Sequence, residues 1–119
     1  FFDCCRINGI RIALNTGYSK EFQREIVNHF NLDLHIDDFI SSEEVKYGRP
    51  YPYMIHKLME RNNILSSKNV IKFGDTNNDI LEGLNANCIA SVGVLSGADS
   101  LKNLKSANHI LNNVMEINI

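Results

Sequence analysis

Two aspartates follow a short apolar segment near the middle of the chain. Asp75 and Asp79 come directly after residues 70–74, and a helical pattern of apolar residues begins at Ile80. An apolar run followed by such a pattern predicts a buried strand, a turn and a helix, with both carboxylates on the turn. Ligands of open α/β sheets bind at such turns, and Mg²⁺ in proteins is typically held by one or two carboxylates. The pair therefore predicts a magnesium site.

This segment also has features of a helix cap and of a calcium-binding loop. Asp79 could serve only to complement the helix dipole while Thr76 caps the helix, as in a Thr-x-x-Asp capping box, and the sequence leaves this alternative open. A calcium-binding loop is excluded, because it requires glycine at its sixth position and glutamate at its twelfth. This chain has Ile80 and Ala86 at those positions.

A hydroxyl and a guanidinium are predicted near the same place. Thr16 follows the weakly alternating segment 10–14, which is typical of a strand, and Arg49 lies in a loop, 45–52, that contains two prolines. Phosphoryl transfer needs a donor to the phosphate oxygens, a fixed positive charge and a metal ion. These residues together therefore indicate phosphoryl chemistry, although Arg49 taken on its own is more typical of a solvated surface residue.

The elements that must position these residues alternate between strand and helix. Predicted strands cover residues 10–14, 38–41, 70–73, 88–94 and 109–111, and predicted helices cover 53–61, the segment after Asp79, and 97–105. Residues 1–8 are interpreted as the end of a helix. This alternation predicts an α/β fold, with a mainly parallel, Rossmann-like sheet covered by helices on both faces.

The first long helix is predicted to begin after Ser19, which is a suitable cap, and to stop at Asn31. Its expected buried face consists of the apolar residues Phe22, Ile26, Val27 and Phe30. Its expected solvent face consists of the polar residues Lys20, Glu21, Gln23 and Arg24.

The composition is that of an ordinary globular domain. The chain has 119 residues, of which 44% are hydrophobic and 22% charged, and a formal net charge of −2. This charge argues against a nucleic-acid or membrane-surface partner, and no apolar run approaches the roughly 20 residues needed to span a bilayer. Three cysteines without C-x-x-C spacing indicate neither a disulfide framework nor a zinc site, so a reducing, cytoplasmic location is expected.

Three short motifs resemble those of a known superfamily. Residues 15–17 (Asn-Thr-Gly), 48–50 (Gly-Arg-Pro) and 74–79 (Gly-Asp-Thr-Asn-Asn-Asp) resemble, in the right order, the second, third and fourth motifs of the haloacid dehalogenase superfamily of phosphohydrolases. Within it, residues 45–52 and 92–97 are most similar to phosphonoacetaldehyde hydrolase and its phosphonatase-like relatives. The similarity extends from about Gly9 to Ile117.

The resemblance implies a role for each matched position. Thr16 would bind the transferring phosphoryl group, with Asn15 and Gly17 beside it in contact with the substrate. Arg49 would hold the nucleophile and the phosphate, and Lys46 is a weaker candidate for the same basic role. The two aspartates of the fourth motif would anchor Mg²⁺.

One motif of the superfamily has no counterpart here. Its first motif, Asp-x-Asp, supplies the nucleophile and the acid-base group, and the segment at Asp3 does not replace it because the second acid is missing. The helical cap that selects substrates is not matched either. Residues 1–119 are therefore expected to form a single, partial core domain without the central first strand, in which unpaired strand edges favour self-association. The isolated chain is expected to be inactive.

Two classes of function follow from these patterns. The leading hypothesis is an Mg²⁺-dependent phosphohydrolase acting on a small phosphorylated or phosphonate metabolite, through an aspartyl-phosphate whose nucleophile lies upstream of this chain. The alternative is a non-catalytic module that binds metal or a partner protein. A receiver-type phosphoacceptor domain ranks last, because the acidic pair expected after its first strand is not seen.

Overall fold

The computed structural model describes residues 2–95, 101 and 104–117 of the chain. Helices and strands alternate along it, as the sequence predicted. In chain order the elements are α1 (Phe2–Ile7), β1 (Ala13–Thr16), α2 (Lys20–His29), β2 (Asp38–Ser41), α3 (Tyr53–Arg61), β3 (Ile71–Gly74), α4 (Asn77–Asn85), β4 (Ala90–Val94) and β5 (His109–Leu111). In the described ranges no helix is long and apolar enough to cross a membrane.

Within the described ranges every strand pair is parallel, and the strands form two sheets. β1 pairs with β2, so that Thr16 lies opposite Ser41, and β3 pairs with β4 so that Gly74 lies opposite Gly93. β5 then extends the second sheet beyond β4. Among the described residues, β1 and β3 are not joined by backbone pairing. By the resemblance, the central strand of the superfamily would lie between these two.

Most predicted elements are confirmed, with small differences at their ends. The strand at 38–41 and the helix at 53–61 have the predicted bounds, whereas the first strand begins at Ala13 and includes Thr16. The last strand, 109–111, is confirmed as β5. The helix predicted over 97–105 falls largely outside the described residues.

The buried face of α2 differs from the prediction. Val27 is buried, but Phe22 and Phe30 are 47% and 64% exposed, and Gln23 is buried although it was assigned to the solvent face. The Gln23 amide donates to the backbone oxygen of Ile40 (2.9 Å), which accounts for its inward position. Phe22 instead packs edge-on against the ring of Tyr18. The predicted cap is confirmed, because the Ser19 side chain accepts from the Phe22 N–H.

The helices next to the site are anchored in the interior. α3 buries Met54 and Ile55, and α4 buries Ile80, which is fully inaccessible. α4 also packs very closely on β3 and β4: a Cβ at Gly83 would lie 2.5 Å from Ser91 Oγ and 2.7 Å from Lys72 Cβ. The glycine within this helix is therefore explained by the approach of the sheet.

Candidate functional site

The first part of the site is the turn after β1. The Tyr18 N–H donates to Thr16 Oγ1 (3.2 Å), and Ser42 Oγ donates to the Gly17 oxygen (3.2 Å). These contacts fix the turn against the segment that follows β2. Because Thr16 Oγ1 acts as an acceptor here, its hydroxyl hydrogen can still be donated to an oxygen of a ligand.

The second part is the loop that carries Arg49. A Cβ at Gly48 would lie 3.0 Å from Ser42 Cβ, and one at Gly17 would lie 3.1 Å from Arg49 Nη2. The two glycines therefore allow this loop to pack on the segment after β2 and on the turn after β1. Arg49 Nη1 donates to the Asp79 carboxylate. The Asn85 amide donates to the Pro50 oxygen (2.8 Å), which ties the loop to α4.

The third part is the turn between β3 and α4. Asp79 Oδ2 accepts from the backbone N–H groups of Asp75 and Thr76 and from Thr76 Oγ1, and Thr76 Oγ1 accepts in turn from the Asp79 N–H. The capping box considered as an alternative is therefore present. It coexists with the Arg49 contact, because the two oxygens of Asp79 serve different partners. A Cβ at Gly74 would lie 2.0 Å from Asp79 Cβ, so only glycine fits beside this carboxylate.

The surroundings of Asp79 favour its charged form. Burial alone would raise its pKa, but the positive charges of Lys72 and Arg49 and hydrogen bonds from Arg49 and Thr76 outweigh that effect. The pKa of Asp79 therefore lies below its ordinary value. As a result, Asp79 is an anion at neutral pH that holds the Arg49 guanidinium in place.

A buried polar network lies directly beneath these turns. Glu82, on α4, is 0% exposed, and the Asn15 amide donates to both its oxygens (3.0 and 2.9 Å). Lys72 Nζ lies 3.2 Å from Glu82 Oε1 and donates to Asn15 Oδ1 (2.6 Å). Burial raises the pKa of Glu82, an effect that Lys72 and the Asn15 hydrogen bonds only partly offset.

The sequence patterns did not identify Lys72 and Glu82. Lys72 lies within an apolar run and Glu82 follows the apolar residues of a helix, so each interrupts a pattern that was interpreted by its apolar members. A charged residue at a position whose neighbours are buried is the signal that could have found them.

The structure brings together most of the residues predicted for the site. The Arg49 guanidinium lies beside Gly17, which follows Thr16, and it donates to Asp79. The backbone N–H of Asp75 donates to the same Asp79 carboxylate. The remaining two candidates lie differently. The side chain of Asn15 is directed into the buried network, and exposed Lys46 places its ammonium over the Tyr47 ring, 5.6 Å from its centre.

The side chains at this edge of the sheet offer few direct ligands for Mg²⁺. Nowhere in the described part of the chain do three or more His, Cys, Asp or Glu side chains form a metal-binding group. Half-buried Asp75, at the end of β3, is the candidate direct ligand, and Asp79, whose oxygens bind Arg49 and the helix cap, would support it. A single carboxylate near a hydroxyl and a guanidinium is compatible with Mg²⁺, which commonly completes its shell with water and substrate oxygens.

Comparison with known proteins identifies the family. The family model of haloacid dehalogenase-like hydrolases matches residues 2–87. The chain belongs to this family. Among its relatives, it is 40% identical over 98 residues to the phosphonoacetaldehyde hydrolase of Parabacteroides distasonis and 36% identical over 97 residues to that of Bacillus cereus. Each match covers 81% of this chain and 36% of the relative, so the haloacid dehalogenase-like segment described here spans about a third of those proteins.

Solved structures share the fold of this family member. A phosphonoacetaldehyde hydrolase-like protein from Oleispira antarctica superposes with a TM-score of 0.81 at 21% identity, covering 97% of this chain and 51% of that one. A β-phosphoglucomutase from Clostridium difficile gives 0.83 at 22% identity, covering 99% and 49%. These similarities establish the Rossmann-like fold of the haloacid dehalogenase-like hydrolases for this chain.

Proposed function

We propose that this chain forms the phosphate- and metal-binding part of an Mg²⁺-dependent phosphohydrolase. The observation that carries the proposal is the convergence of Thr16, Arg49 and the Asp75/Asp79 pair, from three separate segments, at the carboxyl ends of parallel strands. This is where ligands of open α/β sheets bind. The substrate class proposed is a small phosphorylated or phosphonate metabolite, on which phosphatases and phosphonatases act.

Each residue has a chemical role in this proposal. The Thr16 hydroxyl donates to one phosphoryl oxygen, and the Arg49 guanidinium, which has further N–H groups besides the one bound to Asp79, donates to others. Asp79 keeps that guanidinium oriented, so no reorganisation is needed when negative charge develops on the phosphoryl group. Asp75 would hold Mg²⁺, which supplies charge neutralisation at the phosphoryl oxygens when bound.

The nucleophile in this proposal comes from sequence upstream of residues 1–119. Asp79 is committed to Arg49 and to the helix cap, and Glu82 is fully buried, so neither carboxylate can attack phosphorus. We infer that an external aspartate attacks phosphorus while the P–O or P–C bond to the leaving group breaks. The leaving oxygen or carbon keeps the electron pair and takes a proton from an acid outside residues 1–119, and water then hydrolyses the aspartyl-phosphate. Residues 1–119 thus form one partial core domain that needs its upstream segment.

The setting proposed for this enzyme follows from charge and composition. We propose a cytoplasmic protein with no nucleic-acid or membrane partner, in line with a formal charge of −2. β1 pairs with β2 along one side, and in the absence of an upstream strand its other edge would favour self-association.

A non-catalytic role is the second candidate. One observation favours it: Asp79 both pairs with Arg49 and completes the capping box of α4, and these two contacts are also what a purely structural role would require. Such a module would bind metal or a partner protein and turn nothing over.

The experiment that tests the proposal compares two proteins. Residues 1–119 and the parent protein with its upstream segment are assayed for p-nitrophenyl phosphate hydrolysis with Mg²⁺, each with an Asp75→Asn control. We expect activity only in the parent protein, because general acid-base catalysis alone is typically worth about 10²–10⁴-fold and the nucleophile is also missing from the short chain. An inactive parent protein would favour the non-catalytic module. Activity in the short chain that is lost in Asp75→Asn would show that a nucleophile lies within these residues.

A further inference from the structure

Lys72 lies at the centre of the charged groups beneath the site. Its side chain is 11% exposed and extends from β3 towards α4. Nζ donates to Asn15 Oδ1 (2.6 Å), lies 3.2 Å from Glu82 Oε1 and lies 3.8 Å from Asp79 Oδ1. One ammonium group therefore contacts the end of β1 and two positions of α4.

These contacts join parts of the fold that share no backbone pairing. In the described residues, β1 belongs to one sheet and β3 to the other. The Lys72–Asn15 hydrogen bond therefore links the sheets by side chains, at the residue immediately before Thr16. On its other side Lys72 faces the Asp79 oxygen that also binds Arg49.

We propose that Lys72 is a positioning residue of the candidate site, holding the β1 end and the Arg49–Asp79 pair at a fixed separation. Lys72 acts through Asn15 and Asp79 and not on the substrate directly. This inference rests on the proposed function for its catalytic meaning, but the geometry it describes involves only side chains of this chain.

A simpler role must be separated from this one. The network contains two cations, Lys72 and Arg49, and two carboxylates, Asp79 and Glu82. Lys72 could serve only to neutralise Glu82, which is fully buried and would otherwise be an uncompensated charge. Under that role, removing both charges together would leave the site unchanged.

Two variants make the distinction. Lys72→Met removes the ammonium and keeps most of the side-chain volume, and the double variant Lys72→Met/Glu82→Gln also removes the buried carboxylate. Lys68→Met is the matched control, because Lys68 is an exposed lysine just before β3 whose Nζ donates to Asn87 Oδ1. All are compared with the wild-type chain by thermal unfolding, by titration of Mg²⁺ with inorganic phosphate, and by ¹⁵N NMR of the Arg49 Nε–H.

We expect these measurements to distinguish the effect of the Lys72 charge on stability from its effect on phosphate binding. Lys72→Met should lower the melting temperature, and the double variant should recover most of that loss. The double variant should nevertheless bind phosphate about tenfold more weakly, as is typical when a residue supporting a ligand-binding group is removed. The Arg49 Nε–H resonance of the double variant should also shift, because Asp79 loses its contact with the Lys72 ammonium. Lys68→Met should resemble the wild type throughout.

Opposite results would overturn the proposal in a recognisable way. A double variant that matches the wild type in phosphate affinity and in the Arg49 resonance would reduce Lys72 to a counter-charge for Glu82. If the wild-type chain binds no phosphate, the proposed function loses support. In that case the Arg49 resonance of the double variant still decides whether Lys72 positions the pair.

Discussion

Arg49 donates a hydrogen bond to Asp79, 30 residues further along the chain. The contact joins a proline-containing loop to the first turn of α4, and it occurs beside Gly17, whose missing side chain leaves room for the guanidinium. Asp79 serves this pair with one oxygen and the helix cap with the other. The same carboxylate therefore anchors a helix and orients the cation of the candidate site.

The first prediction concerns Asp79 and pH. Because its pKa is lowered in the folded state, ionised Asp79 contributes stability above its ordinary pKa of about 4, and this contribution is lost as the pH falls through the lowered folded value. We expect Asp79→Asn to reduce the free energy of unfolding by roughly 2–3 kcal/mol at pH 7, as for hydrogen bonds to charged groups. Urea denaturation between pH 7 and 3 should show the difference shrinking below about pH 4.

The control for this series is Asp33→Asn, because Asp33 is exposed at the surface. It should change stability by at most about 0.5 kcal/mol at pH 7. A deficit of Asp79→Asn that stays constant down to pH 3 would contradict an ionised, stabilising Asp79.

The second prediction concerns Arg49. A guanidinium can bind Asp79 and phosphate at once with separate N–H groups, whereas lysine offers a point charge. We expect Arg49→Lys in the parent protein to retain part of the turnover with p-nitrophenyl phosphate, and Arg49→Ala to lose about 10²–10³-fold, as when an oriented donor is removed. Arg49→Ala should also cost stability, because it leaves buried Asp79 with one cation fewer.

Turnover is therefore expressed per folded molecule, measured from the folded fraction by circular dichroism. Arg24→Ala, an exposed arginine on α2, is the matched control and should leave turnover unchanged. If Arg49→Ala lost only stability, with full turnover per folded molecule, the loop would be structural and the site assignment would be wrong.

The third prediction concerns the packing of α4. Alanine normally favours a helix over glycine by about 1 kcal/mol, but a Cβ at Gly83 would lie 2.5 Å from Ser91 Oγ and 2.7 Å from Lys72 Cβ. We expect Gly83→Ala to destabilise the chain by about 1–3 kcal/mol, as overpacking does. Asn78→Ala, at an exposed position of the same helix, should be nearly neutral. A more stable Gly83→Ala would mean that α4 can move away from the sheet at little cost.

The order of elements and the three site segments could be predicted because they depend on local patterns. Apolar periodicity located β2 and α3, and the motif at 74–79 located the turn before α4. Turns at the ends of parallel strands then had to meet at one edge. The convergence of Arg49 and Asp79 is thus a consequence of topology.

The rest depends on contacts that no local pattern contains. Gln23 faces inward because its amide finds the oxygen of Ile40, a partner 17 residues away. Glu82 is buried and Lys72 is largely buried because Asn15 and one another satisfy them. In each case a polar residue occupies an interior position because it forms a tertiary hydrogen bond. Predictions based on local apolar patterns place such residues in solvent or overlook them.

The last prediction concerns the metal and separates the two aspartates. Asp75 is the proposed direct ligand and Asp79, which orients Arg49 and caps α4, is the supporting carboxylate, so the two should differ in how strongly they affect Mg²⁺ binding. We expect Asp75→Asn to weaken Mg²⁺ affinity by at least about 100-fold, and Asp79→Asn by about tenfold through loss of orientation.

Calorimetric titration of Mg²⁺ into the parent protein, with inorganic phosphate present, measures both effects, and Asp33→Asn again serves as the control. Stability must be recorded in parallel, since Asp79→Asn also weakens the helix cap. If all four proteins bound Mg²⁺ equally, the aspartates would act only in capping α4 and holding Arg49. If Asp79→Asn were the more severe variant, Asp79 would have to release Arg49 or the cap to bind the metal, and the site would rearrange on loading.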